Sequence, residues 1–123
     1  MENQTKKRIL VIDDEKTNRL FLYQTLKNEY VIYMATDGKE GIDVAKKNLP
    51  DAILLDIIMP GIDGYEVINT LKNNPKTKDI PVIFVSGLSS DDELQKGLSL
   101  GATDFITKPF RIDDVKKKIH DLF

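Results

Sequence analysis

The sequence has no cysteine, one histidine, no long hydrophobic run and no excess of either charge. Without cysteine there is neither a disulfide framework nor a thiolate metal site, and a cytoplasmic setting is the expectation. The one histidine, His120, has no partner at metal-ligand spacing. The longest apolar runs fall far short of the ~20 residues that span a bilayer. The stretch from Met1 to Arg8 is polar and lacks the apolar centre of a signal peptide. Lys and Arg number 18 against 20 Asp and Glu, a net charge of -2, which argues against nucleic acid or an anionic membrane as the main partner.

The 123 residues suit one domain. Hydrophobic residues make up 41% and charged residues 31%, a globular balance that supports one core of two or three layers. Residues 1–7 read as a polar segment and residues 8–123 as the domain. Five short apolar runs punctuate the chain: Ile9–Ile12, Val31–Ala35, Ala52–Leu55, Val82–Val85, and Phe105 with Ile106. Four of them have no polar alternate position, the pattern of strands covered on both faces. The segments between them have helical spacing: Val67, Ile68 and Leu71 share one face, and Val115, Ile119 and Leu122 another. Asp37 with Glu40, Asp63 with Glu66 and Ser90 with Glu93 are capping-box pairs at helix starts, and Gly101 is a helix stop. Five strand–helix units in alternation predict an α/β fold, a parallel sheet with helices on both faces.

In such a sheet, ligands gather at the carboxyl ends of the strands. The first run ends in Asp13-Asp14-Glu15, the third in Asp56, the fourth in Ser86-Gly87 and the fifth in Thr107-Lys108-Pro109. If those strands are neighbours, three aspartates, a hydroxyl and an ammonium meet on one rim. Two unit charges about 5 Å apart repel by roughly 3 kcal/mol at an effective dielectric near 20. Asp13, Asp14 and Asp56 together would therefore take up protons or bind a cation. All-oxygen ligands, few in number, suit Mg²⁺ or Mn²⁺. With a phosphoryl donor, Asp56 is the candidate nucleophile, and Lys108 and Ser86 are candidate contacts for phosphoryl oxygens. Taken singly, these residues have plainer readings: Asp13 or Asp14 as a helix cap, Lys108-Pro109 as a helix start, and Lys116-Lys117-Lys118 as a solvated complement to a helix dipole.

Four segments carry a resemblance: Ile9 to Glu15, Leu54 to Gly64, Pro81 to Gly87 and Gly101 to Phe110. In this order and at this spacing they resemble the receiver domains of response regulators, over essentially all of residues 7–122. The resemblance implies a flavodoxin-like, doubly wound five-stranded parallel sheet of order 2-1-3-4-5, with five helices in three layers. It implies that Asp56 is the phospho-acceptor and that Asp13, Asp14, Asp56 and the backbone carbonyl of Ile58 hold Mg²⁺. Ser86 and Phe105 become the switch pair, Lys108 the phosphoryl contact, and the bond before Pro109 is expected to be cis. The implied partners are a histidine kinase or phosphotransfer protein and an output domain or downstream protein. A homodimer would form through the fourth helix, fifth strand and fifth helix, with no direct nucleic-acid or membrane binding. The expected role is a phosphorelay switch and not a turnover enzyme. Three positions depart from the commoner pattern: Ser86 for threonine, Gly87 for alanine and Phe105 for tyrosine.

Rival readings fit less well. A phosphatase of the haloacid dehalogenase type wants a second Asp two residues after the nucleophile, where this chain has Ile58. A flavodoxin-like cofactor binder wants a phosphate-cradling loop after the first strand, where this chain has acids. A degenerate, scaffold-only receiver would lack at least one of Asp13, Asp14, Asp56 and Lys108. Ile58 and Leu88, both apolar, cannot position an attacking water, so slow self-dephosphorylation is expected. The chain ends just after the fifth helix, so no output domain is expected within it. Its segments look similar to receivers fused to cyclic-di-nucleotide turnover modules or hybrid kinases.

Overall fold

The structure, a computed structural model, describes residues 6–87 and 90–123. The elements alternate as β1 (Arg8–Ile12), α1 (Lys16–Leu26), β2 (Val31–Ala35), α2 (Gly38–Asn48), β3 (Ala52–Asp56), α3 (Gly64–Lys72), β4 (Val82–Ser86), α4 (Asp91–Ser99), β5 (Asp104–Thr107) and α5 (Ile112–His120). All strands are parallel and lie in the order β2-β1-β3-β4-β5. The direction in which successive strands are added thus reverses at β1, and the ends of β1 and β3 become neighbours. Register pairs Ile12 with Leu55, Asp56 with Val85 and Ser86 with Thr107, which brings the acid- and hydroxyl-bearing strand ends to one edge.

Two apolar cores sandwich the sheet. On one face Leu10, Ile12, Ile53, Leu55 and Phe84 meet α2 and α3, with Val67, Ile68 and Leu71 fully buried. On the other, Ile9, Val11, Leu54, Ile83 and Val85 meet α1 and α5 through Leu22, Leu26, Val115 and Ile119. Leu122 lies beyond the end of α5 and packs only partly against this second core. The outer strands differ from the expectation of double coverage. Val31 and Met34 in β2 are exposed, because the strand order places β2 at the sheet edge.

Local signals in the sequence appear as atoms in the helix caps. The carboxylates of Asp37 and Asp63 accept from the N–H groups of Glu40 and Glu66, at 2.8 and 2.9 Å. The Ser90 hydroxyl accepts from Glu93 N–H at 3.3 Å. At the far end of α4, Gly101 adopts φ +109°. Its N–H donates to the Leu98 carbonyl and that of Ala102 to the Gly97 carbonyl, the paired bonds of a Schellman stop. This turn delivers the chain into β5. Lys118 is not simply solvated. Its ammonium donates to the Phe105 carbonyl at 2.6 Å and to Asp104 at 3.1 Å, fastening α5 to β5.

Candidate phosphorylation site

Parallel pairing and the β1–β3–β4–β5 adjacency deliver the side chains to the rim. Oxygen atoms of Asp13, Asp14 and Asp56 lie within 4.8 Å of one another. Asp13 is 1% and Asp56 4% exposed, so the aqueous screening that would tolerate such a cluster is largely gone. Asp14 is the most open of the three. Lys108 approaches from the loop after β5. Its Nζ stands 3.4 Å from Asp56 Oδ1, 3.7 Å from Asp13 Oδ2 and 3.8 Å from Glu15 Oε1. One ammonium is thus shared among three carboxylates, with Asp14 alongside. Sequence reasoning gave Glu15 no role, and nothing but its place beside the two aspartates could have signalled one.

Electrostatics follow from this crowding. Burial first, and then the charge on Asp13, push the Asp56 carboxyl up to about 6, with Lys108 only partly opposing them. Asp13 is raised as well, chiefly by burial, against the pull of its hydrogen bond from Glu15 N–H. Among the described residues, the buried Asp13 Oδ2 has no hydrogen-bond partner. A buried carboxylate oxygen without a donor is costly and asks for a cation or a proton. Three gathered carboxylates, one of them with an unsatisfied oxygen, match the oxygen-only preference of a small divalent ion, so these residues fit Mg²⁺.

The main chain around these groups is closely set. Asp13 N–H donates to the Ala35 carbonyl at 3.1 Å, and the Asp13 carbonyl accepts from the Arg19 guanidinium at 2.8 Å. Gly64 N–H donates to the Ile57 carbonyl at 2.7 Å, folding the loop after β3 back on itself. A Cβ on Gly64 would stand 2.5 Å from the Asp56 carbonyl oxygen, so this position admits no side chain without moving the backbone of Asp56.

Ser86, the last residue of β4, is 2% exposed, and its carbonyl accepts from Lys108 N–H at 2.9 Å. The Lys108–Pro109 peptide bond is cis. Ile58 sits two residues beyond Asp56 with its side chain 64% exposed. Leu88 lies outside the described residues. Phe105 is not gathered with the acids. It lies under α4, its ring 5.5 Å from that of Phe84, where Gly97 leaves room: a Cβ at Gly97 would stand 2.7 Å from Phe105 Cζ. Phe84 in turn meets Tyr65 edge-on at 5.7 Å, so aromatic contacts run from the start of α3 to β5.

Comparison with known proteins gives one consistent result. The family profile of the response regulator receiver domain matches residues 9–120. A probable cyclic di-GMP phosphodiesterase of Vibrio cholerae is 42% identical over 120 residues, covering 98% of this chain and 27% of that protein. Response regulator PleD of Caulobacter vibrioides is 45% identical over 109 residues, covering 88% of this chain and 24% of that protein. The chain therefore spans about a quarter of the length of these two relatives. Among solved structures, the chemotaxis protein CheY4 of Vibrio cholerae superposes with a TM-score of 0.92 at 27% identity, covering 97% of this chain and all of that one.

Proposed function

Because the chain belongs to the response regulator receiver domain family of two-component signalling, we propose that it takes a phosphoryl group on Asp56 with Mg²⁺ bound beside it, and that the modification changes the α4–β5–α5 face. The observation that carries this reading is the gathering of Asp13, Asp14 and Asp56, one oxygen of each within 4.8 Å of the others, while among the described residues the buried Asp13 Oδ2 accepts no hydrogen bond and stands 3.7 Å from the Lys108 ammonium. A stable structural rim would not leave that oxygen unbonded.

An Asp56 carboxylate oxygen attacks the donor's phosphorus. A new O–P bond forms as the bond from phosphorus to the leaving group breaks, and the leaving group departs with its electron pair. Asp56 must be ionised to attack, and with its pKa near 6 it is mostly so at neutral pH. Lys108, now 3.4 Å from Asp56, turns to donate to a phosphoryl oxygen, and the Ser86 hydroxyl donates to another. Asp13, Asp14, Asp56 and the Ile58 carbonyl hold the ion. When bound, Mg²⁺ neutralises charge on the phosphoryl oxygens.

The switch follows from Ser86. Drawn toward the phosphoryl group, it changes the space beside Phe105 and, through Lys108 and Lys118, the setting of β5 against α5. Phosphorylation shifts the population only if the two states bind it unequally. The proposed donor is a histidine kinase or phosphotransfer protein, and the proposed readers are an output domain or downstream protein and a second copy meeting at α4–β5–α5. The domain acts as a switch in the cytoplasm and not as a turnover enzyme. No helix among the described residues is long and apolar enough to cross a membrane.

The test is labelling by acetyl phosphate. Wild-type chain with Mg²⁺ should gain one base-labile phosphoryl group, and Asp56→Asn none. Equal labelling of the variant would place the acceptor elsewhere.

A further inference from the structure

Asp13 is held at three of its four polar positions. Its N–H donates to Ala35, its Oδ1 accepts from Glu15 N–H at 2.9 Å, and its carbonyl accepts from Arg19 Nη1 at 2.8 Å. Among the described residues only Oδ2 is left without a hydrogen bond; it stands 3.7 Å from the Lys108 ammonium, and one oxygen of Asp13 lies within 4.8 Å of oxygens of Asp14 and Asp56. Arg19 arises from the first turn of α1 and is partly buried. Its guanidinium is directed to a main-chain carbonyl rather than to a rim carboxylate. Such a group stays charged at all relevant pH values, and its rigid fork holds an acceptor in a fixed direction.

We infer that Arg19 is a positioning residue for the cation. It acts through Asp13, locking the β1–α1 junction so that Oδ2 is presented to the ion, and touches neither the ion nor the phosphoryl group. This role rests on the function proposed above. The plainer alternative is that Arg19 only ties α1 to the end of β1, which would change stability and leave metal affinity alone. Coulomb's law alone predicts a third behaviour: removing a positive charge near a cation site should tighten binding. The three accounts differ in the sign of one measurement.

That measurement is a calorimetric Mg²⁺ titration at neutral pH without phosphodonor, on the wild type, Arg19→Met and Arg19→Lys. Methionine keeps the apolar stem, and lysine restores one donor. The Mg²⁺ dissociation constant should rise about tenfold in Arg19→Met, the low end of the range for groups that orient metal ligands, and less in Arg19→Lys. The acetyl phosphate labelling rate at saturating Mg²⁺ should stay at the wild-type level, so the loss appears in the Mg²⁺ requirement alone. If both variants bind Mg²⁺ as well as or better than the wild type, the positioning role is overturned while the proposed function stands. A wild type that takes up no Mg²⁺ overturns both.

Discussion

The two ends of the sheet use the same residue types to opposite effect. At the amino end, the Arg8 guanidinium donates to the carbonyls of Asn48 and Leu49 at 2.6 and 2.7 Å, closing the C-terminus of α2. Asp51 accepts from Arg8 N–H at 2.8 Å and returns a bond through its own N–H to the Arg8 carbonyl. Cation and anion there are matched and half-open to water. At the carboxyl end, Asp13, Glu15 and Asp56 share Lys108, and an oxygen of Asp13 has no donor. The first arrangement joins elements. The second holds buried charge in want of a partner, and strained electrostatics of that kind mark a site that binds something.

The strongest way to break this contrast is Asp56→Asn. It should abolish acyl-phosphate formation, measured as loss of base-labile label, while the metal-free chain becomes harder to unfold at neutral pH. A variant that loses label and stability together would mean that Asp56 contributes to the fold as Arg8 does.

The next prediction concerns pH. The folded Asp56 carboxyl titrates near 6, above its ordinary 3.8, so its contribution to stability is fully present below about pH 4 and lost as pH rises through about 6. The upper limit is on the order of 3 kcal/mol. Asp13 is displaced in the same direction. Denaturant unfolding of metal-free wild type and Asp56→Asn should agree at low pH and diverge in favour of the variant between about pH 4 and 6. Parallel curves would remove the buried charge from the account.

Gly64→Ala comes third. The added Cβ, 2.5 Å from the Asp56 carbonyl oxygen, should cost about 2 kcal/mol by denaturant titration and slow labelling, since the backbone of Asp56 must move. Arg8→Ala is the smallest and the sharpest control. It should cost about 1 kcal/mol through lost bonds at the amino end and leave the labelling rate at fixed Mg²⁺ unchanged.

Much of this contrast was legible in the sequence, for a physical reason. Strand ends, caps and stops are set by local chemistry, so Asp37, Asp63, Ser90 and Gly101 could be assigned from their neighbours, and the structure has them there. The convergence of Asp13, Asp14, Asp56 and Lys108 needed only the rule that parallel strand ends share a rim, together with the strand order that the family resemblance supplied. What escaped was set by long-range packing. Exposure of Val31 and Met34 depends on β2 lying at the edge, which an apolar run cannot announce. The Arg19 bond to Asp13 and the Lys118 bond to Phe105 depend on where a long side chain ends, several ångströms from its Cα. Glu15 on Lys108 joins residues distant in sequence through a flexible arm.

The central claim is that the carboxyl-end rim carries negative charge that a dication relieves. Thermal unfolding with and without Mg²⁺, at neutral pH and at about pH 5, tests it directly. Mg²⁺ should raise the unfolding temperature clearly at neutral pH and far less at about pH 5, where Asp56 holds a proton. An unfolding temperature indifferent to Mg²⁺ at neutral pH, or raised equally at both, would contradict the claim.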